Sequence, residues 1–309
     1  AIVAFQKALK IEPKNDYATM NKLFNQRSIY EWEESYKNDL KISQLGINTT
    51  KTSPLMLLAL EDAPERHRIR AANFTKELSH IKPFPLQTKP KNKPKYIRLG
   101  YISSDFKAHA VAYLIGKVLE NHNRKDFKVY GYSIGPPEND EINAKLKKSF
   151  DIYEDVHNMN SREIASKIHT DEVDILIDLN GYTKNCRTSI LAYKPAKIQI
   201  NFLGFPGTTG RNYMDYIIAD DVVIPTKNER FFSESIIRLP YTYLPTDNTR
   251  IISKKEISRK TMGLPKTGII FCCFNNNYKI SPNEFNIWMN IILKVEGSVL
   301  WLRARNELE

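Results

Sequence analysis

The sequence predicts an α/β fold of Rossmann-like type behind a helical extension, and three observations carry that prediction. From residue 97 onward, short runs rich in β-branched and aromatic residues alternate with helical segments. Those runs are apolar nearly throughout instead of alternating with polar residues, the pattern of parallel strands covered on both faces. Residues 1–80 instead keep helical spacing, and a stretch rich in proline and lysine separates the two regions.

The elements follow in order. Ala1, Phe5, Ala8 and Pro13 stand at the spacing of the second helix of a tetratricopeptide repeat, where small residues admit a neighbouring helix and a proline closes the unit; an ordinary amphipathic helix is the alternative. One such helix cannot bury its own apolar face, so the chain is expected to begin inside a longer protein. From Tyr17 to about Leu78 the helical pattern continues, with turns at Gly46 and Ser53-Pro54. Lys82-Pro83-Phe84-Pro85 and the prolines that follow, up to Pro94, stop any helix. Strands are then predicted over Ile97 to Ile102, Phe127 to Ile134, Asp174 to Leu179 and Ile198 to Phe202. Helices are predicted over Val111 to Glu120, Glu141 to Phe150 and Ser161 to His169. No G-x-G-x-x-G loop follows the first strand, which argues against a dinucleotide-binding dehydrogenase. A second unit opens after Thr246-Asp247, with strands over Gly268 to Phe274 and Ser298 to Leu302 around a helix from Pro282 to Val295. One βαβ unit is less than a complete Rossmann domain, so the chain is expected to end inside that lobe.

Composition narrows the class. At 309 residues, 41% hydrophobic and 26% charged, the chain has ordinary globular proportions, and no run approaches a membrane span or a signal peptide. The three cysteines are odd in number and form no CxxC pair, which points to a reducing compartment. A net charge of +11 raises nucleic-acid binding. The lysines are dispersed, however, and the densest run, Lys89 to Lys95, is broken by prolines and lacks any RNA-binding aromatic signature or zinc finger.

In open α/β sheets, ligands gather at the carboxyl ends of the strands, so the strand-to-helix turns are where chemistry is sought. Four turns are unusual. Ser103-Ser104-Asp105-Phe106-Lys107-Ala108-His109 offers small polar groups and a histidine able to act as general base or sugar contact; alternatively Ser104 or Asp105 caps a helix and His109 lies on the surface. Asp178-Leu179-Asn180-Gly181-Tyr182-Thr183-Lys184 places a carboxylate at a buried strand end, with Asn180 and Tyr182 able to bond sugar hydroxyls, or simply forms a turn through Asn180-Gly181. Gly204-Phe205-Pro206-Gly207-Thr208-Thr209-Gly210 lets backbone approach a ligand, yet could also be a plain connection. In the fourth, Asn275 to Glu284, Ser281 and Glu284 have capping-box spacing and Pro282 falls at the first helical position, so a helix starts beside Lys279. A helix N-terminus next to a lysine can hold a diphosphate; the alternative is a solvent-facing lysine.

Taken in this order, these segments resemble the catalytic core of the O-GlcNAc transferase family, glycosyltransferase family 41, which includes the Spindly-like O-fucosyltransferases. The residues that carry the match are Arg98 to Phe106 with His109, Ile175 to Thr183, Gly204 to Gly210, Met214 to Ile218, Phe274-Asn275 with Tyr278-Lys279-Ile280, and Ser298 to Leu302. The resemblance implies a GT-B glycosyltransferase fold organised as a helical region with the last tetratricopeptide helix (1–80), a linker (81–96), an N-terminal Rossmann-like catalytic lobe (97–250) and the start of a nucleotide-sugar-binding lobe (251–309). It implies inverting, metal-independent transfer of N-acetylglucosamine from UDP-GlcNAc to Ser or Thr hydroxyls of protein or peptide acceptors. The resemblance assigns His109, Asp178 and Lys279 catalytic roles. It assigns substrate or donor binding to Ser104, Asp105, Asn180, Tyr182, Thr183, Pro206, Gly207, Thr208, Asn275 and Asn276. No metal, cofactor, nucleic acid or membrane is expected. A cytoplasmic location and self-association through tetratricopeptide repeats are. The Asn180-Gly181-Tyr182-Thr183 turn leans towards GlcNAc, since many Spindly-like members read Gly-His-Thr there. The short Thr249 to Gly268 connection looks like the compact, bacterial-type version. O-fucosyl transfer and a non-catalytic scaffold with a degenerate cleft are the alternatives, and the chain by itself is expected to be inactive.

Overall fold

The structure is a computed structural model that describes residues 1–33, 37, 39–49, 52–85 and 95–304. Most of the expected linker over 81–96, with its lysine-proline run, lies outside the described residues. The chain divides into two compact units: Ala1–Leu45 with Met56–Asp62 and Arg250–Glu309, and Gly46–Leu55 with Ala63–Thr249.

The first unit opens with helices α1 (Ile2–Ile11) and α2 (Asp16–Ser28), joined by a tight turn across which Phe5 meets Tyr17 edge-on. The Asn15 side chain caps α2 by accepting from the Ala18 N–H at 2.9 Å, and Asp16 and Arg27 complement the helix dipole at its two ends. Helices α3 (Asp39–Gln44) and α4 (Pro54–Leu60) follow. Met20, Leu23, Ile42, Leu45, Leu57 and Leu60 form one buried cluster, and the Arg27 guanidinium closes it by donating to the carbonyls of Ala59 and Leu60.

The long stretch of the second unit opens with α5 (Pro64–Phe74), started by a proline at a position where a missing N–H costs nothing. A parallel sheet follows, in the spatial order β3-β2-β1-β4-β5-β6-β7. Its strands are β1 (Ile97–Ser103), β2 (Phe127–Ser133), β3 (Ile152–Asp155), β4 (Ile175–Asp178), β5 (Ile198–Asn201), β6 (Tyr216–Ala219) and β7 (Ser235–Arg238). The crossovers carry α6 (Ala110–Asn121), α7 (Glu141–Lys148), α8 (Ser161–Thr170) and α9 (Ser189–Ala192). Alternate strand residues feed two cores. Ile102, Tyr132 and Leu176 pack with Ile164 and Ile168 of α8 on one face; Leu99, Ile177 and Ile200 pack with Ile115 and Leu119 of α6 on the other. Covering both faces is what makes the central strands apolar at successive positions.

The α/β fold is as predicted, and the structure adds β3, β6 and β7 to the four strands expected in this unit. Each is four residues long and lies towards an edge of the sheet, where IYED and SIIR need no continuous apolar run. The sheet order fixes the site. The chain steps from β1 outward to β2 and β3, then returns to place β4 on the other side of β1. The carboxyl ends of β1 and β4 therefore form the topological switch point, with Ile102 opposite Asp178 in register.

The remainder of the first unit is a βαβ unit in which β8 (Ile270–Cys273) pairs in parallel with β9 (Val299–Leu302), the connection running through α10 (Pro282–Lys294). Phe274 packs edge-on against Trp301 at the strand ends.

Candidate functional site

At the β1/β4 switch point, Asn180 organises the surroundings. Its side chain is 1% exposed: Oδ1 accepts from the Ser104 N–H at 2.7 Å, while the two hydrogens of Nδ2 are shared among Ser104 Oγ at 2.8 Å, Asp105 Oδ2 at 3.0 Å and Thr183 Oγ1 at 3.0 Å. One amide thus ties the turn after β1 to the turn after β4. Asp178, 5% exposed, works beneath it by accepting from the N–H groups of Asn180 (2.9 Å) and Gly181 (3.0 Å). Burial pushes the Asp178 carboxyl up to about 6, opposed by those two bonds, which favour the ionised form. Gly181 sits at φ +56°, and a Cβ there would fall 2.5 Å from that of Phe205, so the turn admits no side chain at this position.

His109 begins α6 and is exposed. Its Nδ1 accepts from the Val111 N–H at 3.3 Å, so the neutral ring carries its proton on Nε2 and presents a donor. The Asp105 carboxylate lies 3.8 Å from Nδ1, beyond a hydrogen bond. The loop that carries His109 is held from below: the Ala108 N–H donates to Asp140 at 2.8 Å, and Asn143 Nδ2 donates to the Phe106 carbonyl at 2.6 Å.

The glycine-rich loop lies after β5. Pro206 is exposed at its tip, while Gly207 and Thr208 are buried. Tyr182 is 2% exposed and packs between Phe74 and Phe205, its hydroxyl bonded to Thr75 and the Thr209 carbonyl. Its phenol therefore supports the loop from within. Thr208 is likewise engaged internally, donating from Oγ1 to the Glu234 carboxylate at 2.6 Å.

In the first unit, Lys279 closes a short 3₁₀ turn (Asn277–Lys279) and is exposed, as is Asn275; Asn276 is half-buried. Buried Asn277 and the tilted packing of Tyr278 on Phe24, with ring centroids 4.8 Å apart, hold the turn in place. The capping box at the start of α10 is present: the Ser281 N–H donates to Glu284 Oε2 at 3.1 Å. Hydrogen bonds from Ser281 hold the Glu284 carboxyl below its ordinary range. Because Glu284 is ionised there and Pro282 has no N–H, this helix end offers an anion less than its sequence suggests. The positive charge comes from Lys279.

The structure thus gathers Ser104, Asp105, Asn180, Thr183 and Asp178 with His109 at one rim. It assigns Tyr182 and Thr208 to the support beneath. Sequence reasoning missed Asn201, Asp140, Asn143 and Glu234. Asn201, a polar residue ending an apolar strand, was the one with a visible signal. Among the described residues no group of three or more His, Cys, Asp or Glu stands together as a metal site, and no helix is long and apolar enough to cross a membrane.

A doubly wound parallel sheet without a dinucleotide loop carries a polar clasp at its switch point, the place where open α/β sheets hold their ligands. The sequence model of glycosyl transferase family 41 matches residues 64–257 and 249–306, so the chain belongs to that family of glycosyltransferases. Curated relatives include the probable UDP-N-acetylglucosamine–peptide N-acetylglucosaminyltransferase SEC of Arabidopsis thaliana, 39% identical over 213 residues, which make up 67% of this chain and 22% of that protein. SPINDLY of the same plant, described by the same activity, is 30% identical over 221 residues, 70% of this chain and 24% of that protein. The chain therefore spans less than a quarter of these relatives. A mutant of the Thermobaculum terrenum O-GlcNAc transferase shares the fold with a TM-score of 0.77 at 23% identity, over 98% of this chain and 57% of that one, consistent with the GT-B expectation.

Proposed function

We propose that the protein is an inverting protein O-glycosyltransferase that moves N-acetylglucosamine from UDP-GlcNAc to Ser and Thr hydroxyls of protein acceptors. The observation that carries the reading is the Ser104–Asp105–His109–Asn180 cluster at the switch point of a family 41 chain. In the reaction the acceptor oxygen forms a bond to the anomeric carbon while the bond from that carbon to the diphosphate breaks. The hydroxyl gives up a proton, and the diphosphate leaves with added negative charge.

The proposed roles rest on where each unit holds these side chains. His109, with Nδ1 occupied by the Val111 N–H, donates its Nε2–H to a ligand oxygen. The acceptor proton then passes to a phosphate oxygen of the donor. Ser104, Asp105 and Thr183 present oxygens for sugar hydroxyls, and Asn180 with Asp178 holds them in place. The Pro206-Gly207 tip gives a close backbone approach. Lys279, with Asn275 and Asn276 beside it, neutralises the leaving diphosphate, an electrostatic contribution that matters most in the transition state. No metal takes part in this reading. The free cysteines, of which Cys272 is exposed, suit a cytoplasmic protein, and the α1–α2 hairpin suits a tetratricopeptide array through which copies associate.

Comparing His109→Gln with His109→Ala in a transfer assay tests the assignment. Glutamine keeps an N–H donor, so it should retain substantially more activity than alanine; equal loss in both would give His109 the role of base instead. O-fucosyl transfer predicts turnover with GDP-fucose alone, and a scaffold predicts none with either donor.

A further inference from the structure

We propose that Glu234 is a positioning residue that sets the shape of the Gly204–Gly210 loop, acting through Thr208 and Thr209, with Asn201 as the second point of the clamp. The observations start with a carboxylate in an unusual place. Glu234 stands immediately before β7 and is 4% exposed, and among the described residues it forms no ion pair. A buried carboxylate without a counter-ion persists only where donors replace its water. Here the loop supplies them. Oε1 accepts from the Thr209 N–H at 2.6 Å and from the Thr209 hydroxyl, and Oε2 accepts from the hydroxyls of Thr208 (2.6 Å) and Ser233 (3.1 Å).

The loop is pinned on its other side by the end of β5. Asn201, fully buried, donates from Nδ2 to the carbonyls of Phe205 (3.0 Å) and Gly207 (3.2 Å). A carboxylate therefore holds the loop's donors and an amide holds its acceptors, leaving Pro206 as the member turned outward. Between the two anchors the chain closes on Phe205: a Cβ at Gly207 would meet that ring at 2.7 Å. Phe205 in turn packs on Tyr182, 5.3 Å between ring centroids, so the clamp also reaches the turn that carries Asn180 and Thr183.

The chemistry makes the residue type specific. The Thr209 N–H can only donate, and Thr208 Oγ1, which already accepts from the N–H groups of Gly210 (3.0 Å) and Ser233 (3.1 Å), has only its hydroxyl proton left to offer, so each carboxylate oxygen faces a group that must donate, whereas an amide would turn its NH₂ towards one of them. Glu234→Gln changes charge and hydrogen-bond polarity at nearly constant volume, which separates polarity from packing. The catalytic consequence rests on the proposed role of this loop at the substrate, but the conformational consequence does not.

The test therefore reads both. Amide hydrogen exchange is measured on wild type, Glu234→Gln and Glu234→Asp, over peptides covering 203–211, with peptides from β1 and β4 as folding controls. Transfer kinetics are measured on the same variants in the natural polypeptide that carries this sequence. Glu234→Gln should speed exchange in the loop by at least about tenfold with the controls unchanged, and Glu234→Asp, which keeps the carboxylate, should recover part of the protection. Transfer should fall by about 100-fold in kcat, the scale of a misplacement of about 1 Å, with KM within about threefold. If Glu234→Gln does not fold, Thr209→Val removes one donor and should loosen the same segment. Unchanged loop exchange in the folded variants overturns the clamp. A loosened loop with wild-type kcat overturns the positioning role. Absence of transfer by the wild type would instead remove the functional reading while leaving the clamp to be judged on exchange.

Discussion

Asp178 makes stability depend on pH in a direction opposite to that of most carboxylates, and Asp178→Asn exposes it. Burial raises its pKa from 3.8 to about 6, so between these values the folded state holds a proton that the unfolded state has released. Stability from this group is therefore fully present below about pH 3.8, declines as pH rises to about 6, and stays at the lower level above it. At about 1.4 kcal/mol per pH unit, the interval corresponds to about 3 kcal/mol. The two N–H bonds from Asn180 and Gly181 limit the loss but do not cancel it. Asparagine does not titrate, and although it can accept from only one of those N–H groups, that cost is the same at every pH. The unfolding free energy of wild type minus that of Asp178→Asn should fall by about 2.4 kcal/mol between pH 4 and pH 7, the rest of the interval lying below pH 4. Hydrogen exchange at β4 amides under denaturant titration reports the second unit specifically, because Trp32, Trp288 and Trp301 all lie in the first. A difference constant within about 1 kcal/mol, or one that rises with pH, would refute the assignment of burial as the dominant cause.

Asn180→Ala leaves the Ser104 N–H buried without its partner and strips a donor from Asp105, so the second unit should lose about 2–4 kcal/mol, measured by the same exchange experiment. Tyr182→Phe removes the bonds to Thr75 and the Thr209 carbonyl at nearly constant packing and should cost about 1–2 kcal/mol, with the larger share of the loosening in 203–211. Lys279→Ala should raise the transfer barrier by about 3 kcal/mol, seen as a fall in kcat, with the fold unaffected because the side chain is exposed.

The parts of this fold legible in the sequence are those whose pattern is local. The apolar runs of β1, β2, β4 and β5 and the capped helices between them announce themselves, because central strands and helix ends each leave a signature within a few residues. The edge strands β3, β6 and β7 do not: SIIR becomes a strand only because β6 lies beside it. The site divides along the same line. Ser104, Asp105, Asp178 and Asn180 were visible because they interrupt apolar strands at their carboxyl ends. The sequence could not show that Tyr182 and Thr208 turn inward, since their partners Thr75 and Glu234 are 107 and 26 residues away. Glu234 carries no local signal at all, and its meaning lies wholly in the loop that folds onto it. Nor did spacing reveal that Nδ1 of His109 accepts from the Val111 N–H, the observation on which its proposed role as a donor rests.

Protein O-glycosyl transfer is tested most directly by giving the natural polypeptide that carries this sequence a Ser/Thr acceptor protein with UDP-GlcNAc or GDP-fucose and identifying the product by mass spectrometry. N-acetylhexosamine should appear on Ser or Thr with UDP-GlcNAc and be lost in Lys279→Ala. Fucose as the sole transferred sugar, or no transfer from either donor, would contradict it.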